Sequence, residues 1–364
     1  MSVLPDIARL RTDLDAAVIG QERLVSRLLI ALLVDGHLLV EGAPGLAKTR
    51  AVRALAERIE ADYQRVQFTP DLLPADLTGT EIYRPADGSF VFQRGPLFNN
   101  LVLADEINRA PAKVQSALLE AMAEQQISVG HETYPLPAPF MVMATQNPIE
   151  QEGTYPLPEA QLDRFLMHVT VGYPDGAREA EILRLVRAEA VAASRTSPQG
   201  GAARRRGTGP DRAFVAGATD GGGDPLVGLD RVRALESGDG GSPAVLSREA
   251  LFAARREVLD VYLSETLEDY LVRLIVASRE PVRHDAELAR WLSYGASPRG
   301  TIALEATSRA HAWLDGRDYV SPADVQELVH DVLRHRLLLS YEAEADGVRA
   351  DEVIDRLLEL VALP

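Results

Sequence analysis

The segment from Gly42 to Thr49 has the composition of a phosphate-binding loop and follows a short apolar run, Leu38 to Val40. Glycines let successive backbone N–H groups converge on phosphate oxygens, and the helical pattern that follows adds a positive N-terminal end. The lysine would reach the outer phosphates, and the threonine hydroxyl would ligate Mg²⁺. The loop therefore predicts a nucleoside triphosphate site, with a plain Gly/Pro turn as the alternative. Its residues are Gly42, Ala43, Pro44, Gly45, Leu46, Ala47, Lys48 and Thr49.

Two adjacent acidic residues, Asp105 and Glu106, follow a second apolar run, Asn100 to Ala104. A buried parallel strand delivers the side chains at its carboxyl end to one edge of its sheet. There Asp105 would hold Mg²⁺ through water, and Glu106 would polarise the water that attacks the γ-phosphate. Two helix-strand units separate the pair from Lys48, which favours triphosphate hydrolysis over passive nucleotide binding.

The elements that must position these residues alternate between strand and helix through the first half of the chain. Helical patterns lie between most of the strand candidates, which predicts a parallel sheet covered on both faces. Beyond Arg178 we expect the strands to stop and helices to dominate. Ser321 to Asp324 has the form of a helix start, with a capping box around a first-position proline. The strand candidates are Leu38 to Val40, Arg65 to Thr69, Leu101 to Ala104, Phe140 to Thr145 and Met167 to Val171.

Composition along the chain predicts three parts. Residues 1–176 would form the αβ nucleotide-binding core, and residues 177–193 with 244–364 would form a small helical domain. Within the helical domain, over residues 194–243, apolar periodicity fails and glycine and arginine accumulate, including Arg204 to Arg206. Such a stretch cannot bury enough surface to offset its chain entropy. We therefore predict a disordered insertion, and we favour a solvated linker over a basic contact site.

The overall composition excludes several classes of protein. The chain has 38 basic and 54 acidic residues and a net charge of -16, which disfavours a broad nucleic-acid or anionic-membrane footprint. No apolar run is long enough to span a bilayer, so we expect no membrane insertion and a cytoplasmic location. The absence of cysteine excludes disulfides and thiolate chemistry. We expect His168, in an apolar strand, to be a core residue rather than a metal ligand.

Six motifs in order resemble the AAA+ ATPases, and specifically the MoxR group, in which alanine before the loop lysine is usual. The resemblance implies a P-loop NTPase (AAA+) fold, in which a parallel sheet flanked by helices precedes a small all-helical lid domain. It also implies ATP and Mg²⁺ as cofactors and a ring of identical subunits, a hexamer. The motifs are Val18 to Gln21, Gly42 to Thr49, Asp105 to Ala110, Ala144 to Pro148, Leu162 to Phe165 and Gly295 to Gly300.

The resemblance also implies roles for residues beside the phosphate loop. Ile19 and Gly20 would line the adenine pocket. Asn147 resembles sensor 1, whose amide orients the attacking water or contacts the γ-phosphate. We expect its strand to lie beside the strand of Asp105, and an ordinary Asn-Pro turn is the alternative.

Two arginines carry further roles in the family. Arg299 resembles sensor 2, where a guanidinium pairs with phosphate and couples the lid to the nucleotide, and an ordinary surface arginine is the alternative. Arg164 resembles the arginine finger, which projects into the nucleotide site of the neighbouring subunit. A salt bridge to Asp163 or Glu159 is the alternative for Arg164. Arg109 could also lie at the subunit boundary.

Two strand-turn-strand patterns interrupt the crossovers of the sheet, at Glu81 to Gln93 and at Gln126 to Leu136. In this branch of AAA+ proteins, similar hairpins lie near the central pore or the upper face of the ring. Tyr83, Phe90 and His131 are therefore candidate substrate contacts. Aromatics that simply cover the hairpin's own core are the alternative.

The resemblance finally implies chaperone-like remodelling or activation of a protein partner. MoxR proteins are commonly linked with von Willebrand factor A domain proteins. A magnesium-chelatase-type motor subunit, which shares the same core, is one alternative. A DNA-acting motor or regulator is another, but the net charge and the lack of a DNA-binding module oppose it. Glu106 argues against a nucleotide-dependent binding switch.

Overall fold

We describe a computed structural model of the chain, which covers residues 2–43, 46, 48–130, 132–148, 154–196, 245–283 and 285–364. The chain divides into two compact units. One comprises Met1–Tyr173 with Val245–Pro364, and the other comprises Pro174–Ala244. In the second unit, helix α7 spans Gly176–Thr196. The rest of the predicted insertion, 197–243, lies outside the described residues.

A five-stranded parallel sheet forms the centre of the first unit. Each neighbouring pair of strands is parallel, and the strands lie in the order β2 (Tyr63–Gln67), β5 (Leu101–Asp105), β8 (Met141–Gln146), β1 (Leu38–Gly42) and β9 (Met167–Val171). The central strands are buried almost throughout, as strands covered on both faces must be. All five predicted strands are confirmed to within two residues at each end.

Alternate residues of the strands divide between two apolar clusters. Leu38 and Val40 belong to one cluster, and Leu39 between them belongs to the other. Successive side chains of a strand point to opposite faces, so a cluster lies on each face of the sheet. This confirms the predicted sheet covered on both sides. The helices of this part are α1 (Leu4–Ala17), α2 (Glu22–Leu33), α3 (Lys48–Ala56), α4 (Pro74–Thr78), α5 (Ala112–Glu124) and α6 (Glu159–Leu162).

Both predicted hairpins form, and they pack against each other. The first pairs β3 (Gly79–Arg84) with β4 (Ser89–Arg94), and the second pairs β6 (Gln126–Val129) with β7 (Glu132–Pro135). The ring of Phe92 in the first hairpin stacks on that of Tyr134 in the second, with centroids 4.4 Å apart. The side chains of Tyr83 and Phe90 contact each other, and both are exposed. His131 lies outside the described residues.

The C-terminal part of the first unit is mainly helical, as predicted. The Ser321 hydroxyl and backbone N–H both donate to Asp324, which confirms the capping box. The expectation that strands stop is wrong at one point, because β10 (Leu292–Tyr294) pairs with β11 (Leu338–Leu339). These strands have three and two residues, too few to show a period in the sequence. The helices are α8 (Arg248–Leu259), α9 (Glu265–Arg279), α10 (Ala286–Trp291), α11 (Pro298–Leu314), α12 (Pro322–Leu333), α13 (Tyr341–Ala345) and α14 (Ala350–Leu360). Across the described ranges, no helix is long and apolar enough to cross a bilayer.

Candidate active site

The predicted phosphate loop begins at the carboxyl edge of the sheet. The Lys48 ammonium donates to the carbonyl oxygen of Gly42 at 2.6 Å and lies 3.4 Å from that of Gln146, at the ends of β1 and β8. A Cβ on Gly42 would lie 2.7 Å from the carbonyl oxygen of Val171, so only glycine fits against β9. Thr49 lies half-buried in the first turn of α3. Within this loop, Pro44, Gly45 and Ala47 lie outside the described residues.

Asp105 ends β5 on the same edge, and both of its carboxylate oxygens accept hydrogen bonds. The Thr145 hydroxyl donates to Oδ1 at 2.6 Å. The guanidinium of Arg65, on the adjacent strand β2, donates to Oδ2 from Nε at 3.1 Å and from a terminal nitrogen at 2.6 Å. Asp105 is therefore fixed on one side by a hydroxyl and on the other by a cation.

Glu106 follows with a left-handed backbone, at φ 57°. This conformation is uncommon for a residue other than glycine. Its N–H donates to the Thr145 hydroxyl at 3.0 Å, so that hydroxyl links the two acidic residues. The Gln67 amide donates to Glu106 Oε2 at 2.6 Å, and the Arg109 guanidinium lies 3.2 Å from the same oxygen. The carboxylate of Glu106 is thus held by its neighbours.

Arg65, Gln67 and Thr145 complete the acidic site, although no motif in the sequence marks them as site residues. A terminal nitrogen of Arg65 donates to Gln67 Oε1 at 3.3 Å, so polar contacts run from Asp105 through Arg65 and Gln67 to Glu106. Arg65 and Gln67 are two residues apart on β2, and Gln67 pairs in register with Asp105. The sequence did contain a signal for two of these residues, because Arg65 and Gln67 are polar and share one face of a strand predicted to lie in the same sheet as Asp105.

Asn147 follows β8 directly and is buried. The predicted neighbourhood of the strands is correct, because β8 pairs with β5. Asn147 therefore lies at the edge that carries Asp105 and Glu106.

On the other side of β1, the His168 imidazole of β9 lies 2.9 Å from the Glu41 carboxylate and holds the pKa of that carboxylate below its ordinary value.

The segment proposed for the adenine pocket lies at the end of β9. The amide of Gln21 donates to the carbonyl oxygen of Gly172 at 3.2 Å. Gly20 has a positive φ of 79°, a conformation that favours glycine. Ile19 is half-buried. Because β9 pairs with β1, this segment approaches the strand from which the phosphate loop leaves.

Arg164 lies half-buried, with its guanidinium directed onto its own chain. One terminal nitrogen donates to the carbonyl oxygen of Leu119, in α5, at 2.5 Å. Within the described part of the chain, no carboxylate pairs with Arg164, so neither Asp163 nor Glu159 forms the alternative salt bridge. To reach a neighbouring subunit, the side chain would have to leave Leu119.

Arg299 lies in the first turn of α11 and is directed toward the core. Its guanidinium lies 3.5 Å from Asp163 Oδ2, and Ser297, the N-cap of α11, donates to the same oxygen at 2.8 Å. Arg336 donates to the other oxygen, Oδ1, at 2.9 Å. Burial lowers the pKa of Arg336 to about 10, which leaves it cationic at neutral pH.

Comparisons with known proteins agree with this geometry. A family model described as ATPase family associated with various cellular activities (AAA) matches residues 37–167, and one described as AAA lid domain matches residues 286–357. The chain is 44% identical to Chaperone MoxR1 of Mycobacterium tuberculosis over 348 residues, which cover 95% of this chain and 79% of that protein. The chain belongs to the MoxR family of AAA ATPases. The family predicted from the six motifs is thus confirmed.

Other comparisons extend along nearly the whole chain. Protein MoxR of Methylorubrum extorquens is 31% identical, over 98% of this chain and 95% of that protein. The Bacillus subtilis protein YeaC is 37% identical, over 99% of this chain and 95% of its own length. A crystal structure from Cytophaga hutchinsonii matches with a TM-score of 0.79 and 39% identity, over 100% of this chain and 96% of that one. The predicted fold, a AAA core followed by a lid, is confirmed.

The side chains at the sheet edge of this MoxR-family protein fit a magnesium nucleotide. The carboxylate of Asp105 and the hydroxyl of Thr49 are the hard oxygen ligands that Mg²⁺ prefers. The Lys48 ammonium and the N-terminus of α3 supply positive charge for a polyphosphate. These groups come from separate elements of the fold and meet at one edge.

Proposed function

We propose that this chain is a Mg²⁺-dependent ATP hydrolase that uses hydrolysis to remodel or activate a protein partner. The observation that carries the proposal is the meeting of Lys48, Asp105, Glu106 and Asn147 at the carboxyl edge of one sheet. A site that only bound nucleotide would need the loop and a metal ligand. The additional carboxylate of Glu106 supports hydrolysis, because it can accept a proton from water.

Each side chain has a separate task in this proposal. Lys48 exchanges two backbone carbonyl oxygens for phosphate oxygens, with its charge unchanged. Thr49 and Asp105 would hold Mg²⁺, which when bound neutralises charge on the phosphates. Glu106 orients and deprotonates the attacking water, for which its carboxylate must leave Gln67. The Asn147 amide orients the same water or contacts the γ-phosphate, and Ile19 and Gly20 line the adenine pocket.

Two substitutions separate binding from hydrolysis. Lys48→Ala should abolish ATP binding, because it removes the cation that pairs with the phosphates. Glu106→Gln should keep ATP bound and stop phosphate release, because an amide cannot take a proton from water. Equilibrium binding and phosphate release are measured on both variants, with Glu120→Gln, on the exposed face of α5, as a matched control. Near-normal turnover by Glu106→Gln would overturn the assignment.

We also infer a ring of identical subunits, a hexamer, in which Arg164 stabilises transition-state charge in the adjacent site. Arg164→Ala should bind ATP almost normally and lose about a thousandfold in turnover. Mixing it with Lys48→Ala should restore part of the activity, because a site with intact Lys48 can then receive Arg164 from a neighbour. If mass measurements prove mixed rings and no ratio exceeds the sum of the parents, Arg164 does not act between subunits.

We propose that the partner is a protein and that the two proteins interact in the cytoplasm. The family suggests a von Willebrand factor A domain protein as the class of partner. The name of the M. tuberculosis relative, a chaperone, supports a protein partner. The exposed pair Tyr83 and Phe90 on the first hairpin supports a contact surface there. ATP-dependent capture of a purified A-domain protein by the Glu106→Gln variant tests this. Capture that does not depend on ATP would contradict the proposed ATP-driven action on this partner. Capture that is unchanged in a variant carrying both Tyr83→Ala and Phe90→Ala would contradict the proposed contact surface on the first hairpin.

A further inference from the structure

The buried hydroxyl of Thr145 contacts both acidic residues of the candidate site. Thr145 lies near the carboxyl end of β8, the middle strand of the sheet, and is only 1% exposed. Ala144 pairs in register with Ala104 of β5, so Thr145 and Asp105 are the next residues along the two strands. The Thr145 hydroxyl donates to Asp105 Oδ1 at 2.6 Å and accepts from the N–H of Glu106 at 3.0 Å. One side chain on a buried strand therefore joins the two acids.

The contact with Glu106 is made through the backbone, at a residue whose conformation needs support. Glu106 has a left-handed backbone at φ 57°. A residue other than glycine keeps this conformation only where the surrounding structure fixes it. Because φ describes rotation about the N–Cα bond, a return to negative φ with the N–H held in place would move the side chain. The hydrogen bond to Thr145 fixes the peptide plane from which the Glu106 side chain departs.

This contact differs from those that hold the carboxylate of Glu106. The Gln67 amide donates to Oε2 at 2.6 Å, and the Arg109 guanidinium lies 3.2 Å from the same oxygen. In the proposed reaction the carboxylate has to leave Gln67 before it can act on water. The Thr145 hydroxyl meets the backbone instead, so it can stay in place while the carboxylate changes partners.

We propose that Thr145 is a positioning residue for hydrolysis, whose hydroxyl sets the directions of Asp105 and Glu106. The inference rests on the proposed ATP hydrolysis. A hydroxyl suits both contacts because it has one donor and two acceptor lone pairs. The donor fixes the carboxylate of Asp105, which would hold Mg²⁺, and an acceptor fixes the backbone of Glu106, the proposed base. Valine has nearly the shape of threonine but cannot make either hydrogen bond.

The test compares the loss of the hydroxyl with its retention. Thr145→Val should lower kcat about a hundredfold, the loss expected when a reacting group is misplaced by about 1 Å. The affinity for a non-hydrolysable ATP analogue should change little, because Lys48 and the phosphate loop are untouched. Thr145→Ser keeps the hydroxyl and should keep most of the turnover. Phosphate release against ATP concentration gives kcat and KM, titration calorimetry gives the affinity for the analogue, and thermal melting gives the folded fraction.

The matched control is Thr307→Val, which removes another buried hydroxyl. Thr307 is 0% exposed, and its hydroxyl donates to the carbonyl oxygen of Ala303 within lid helix α11 at 2.7 Å. This variant should leave kcat and KM unchanged. A purely structural role for Thr145 predicts a lower melting temperature for Thr145→Val with an unchanged kcat per folded molecule, and that result overturns the inference. An equal loss of kcat in Thr145→Ser also overturns it. If the wild-type chain releases no phosphate, the proposed function fails instead.

The wild-type protein offers a second measurement that does not depend on a variant. In a crystal structure with the analogue bound, Glu106 should keep a positive φ and its N–H should stay within hydrogen-bond distance of the Thr145 hydroxyl. A negative φ at Glu106 beside the bound analogue would overturn the inference, even if Thr145→Val fails to fold.

Discussion

Replacing Arg27 with methionine should destabilise the chain strongly, because Arg27 is part of a buried ionic junction between core and lid. Arg27 lies on α2 and donates to the carboxylate of Asp331, on lid helix α12, at 2.9 Å, and to Glu327 at 2.8 Å. The side chains of Arg27 and Asp331 are 2% and 0% exposed. Burial alone would raise the pKa of Asp331, but the charges of Arg27 and Arg23 outweigh it and lower that pKa.

The size of the effect follows from what the substitution leaves behind. Breaking a buried pair on one side costs about 3–5 kcal/mol, because the remaining charge loses its partner. Here Asp331 keeps Arg23 at 2.7 Å and Arg334 at 3.2 Å, so we expect the lower end, about 3 kcal/mol. For a chain of this size, that corresponds to a melting temperature lower by about 4 °C.

Arg23→Met is the matched control, because Arg23 lies on the same helix and contacts the same carboxylate but is 48% exposed. Its loss should cost less than about 1 kcal/mol. Thermal melts and urea unfolding of both variants give the comparison. If both substitutions lower the free energy of unfolding by the same small amount, burial does not make the Arg27 pair important. A larger loss for Arg23→Met would also contradict this reasoning.

Two further predictions concern the active site and the sheet. Gln67→Leu should raise basal phosphate release by up to about tenfold, because Glu106 would no longer have to break a hydrogen bond of about 1.5 kcal/mol; an unchanged or lower rate would contradict this. Burial lowers the pKa of His37 to about 4, so the unfolded chain takes up the proton first. The contribution of neutral, buried His37 to the free energy of unfolding is complete above about pH 6.5. About 3 kcal/mol of it is lost as the pH falls toward 4. His37→Gln can keep the contacts to Met122 and Val142. In this variant the free energy of unfolding, measured with urea, should depend less on pH between about 6.5 and 4. An equal pH dependence in the variant and the wild type would exclude His37 as the cause.

The sheet was predictable because its strands are short apolar runs ended by turn residues or charges. Asp105 and Glu106 were predictable for a related reason, since they stand at the end of such a run, and Lys48 was predictable because it lies in a glycine-containing loop between a strand and a helix. Edge strand β2 is different. Its polar residues Arg65 and Gln67 are exposed and resemble an ordinary solvated surface in the sequence, and only the register of β2 with β5 places them on the two acids.

Contacts between distant parts of the chain were beyond prediction from local pattern. Nothing in the spacing of Asp163 and Arg336 indicates that they pair, because the pair depends on how the lid packs on the core. The carbonyl oxygen of Leu119, which accepts from Arg164, is a backbone group that every residue type carries. The sequence could therefore indicate Arg164 and Arg299, which lie in family motifs, but not the groups that they contact in the folded chain.

The loop after α12 has a consequence for how force would pass through an assembly. Arg334 donates to the backbone carbonyl of His168 in the core, and His335 and Arg336 both contact that of Phe165. With the buried Arg27 and Asp331 contact, they join lid and core at several points that would all have to break for a hinge to open. Each subunit would then turn as a single lever, and the bending produced by a chemical cycle would fall at the boundaries between neighbouring copies.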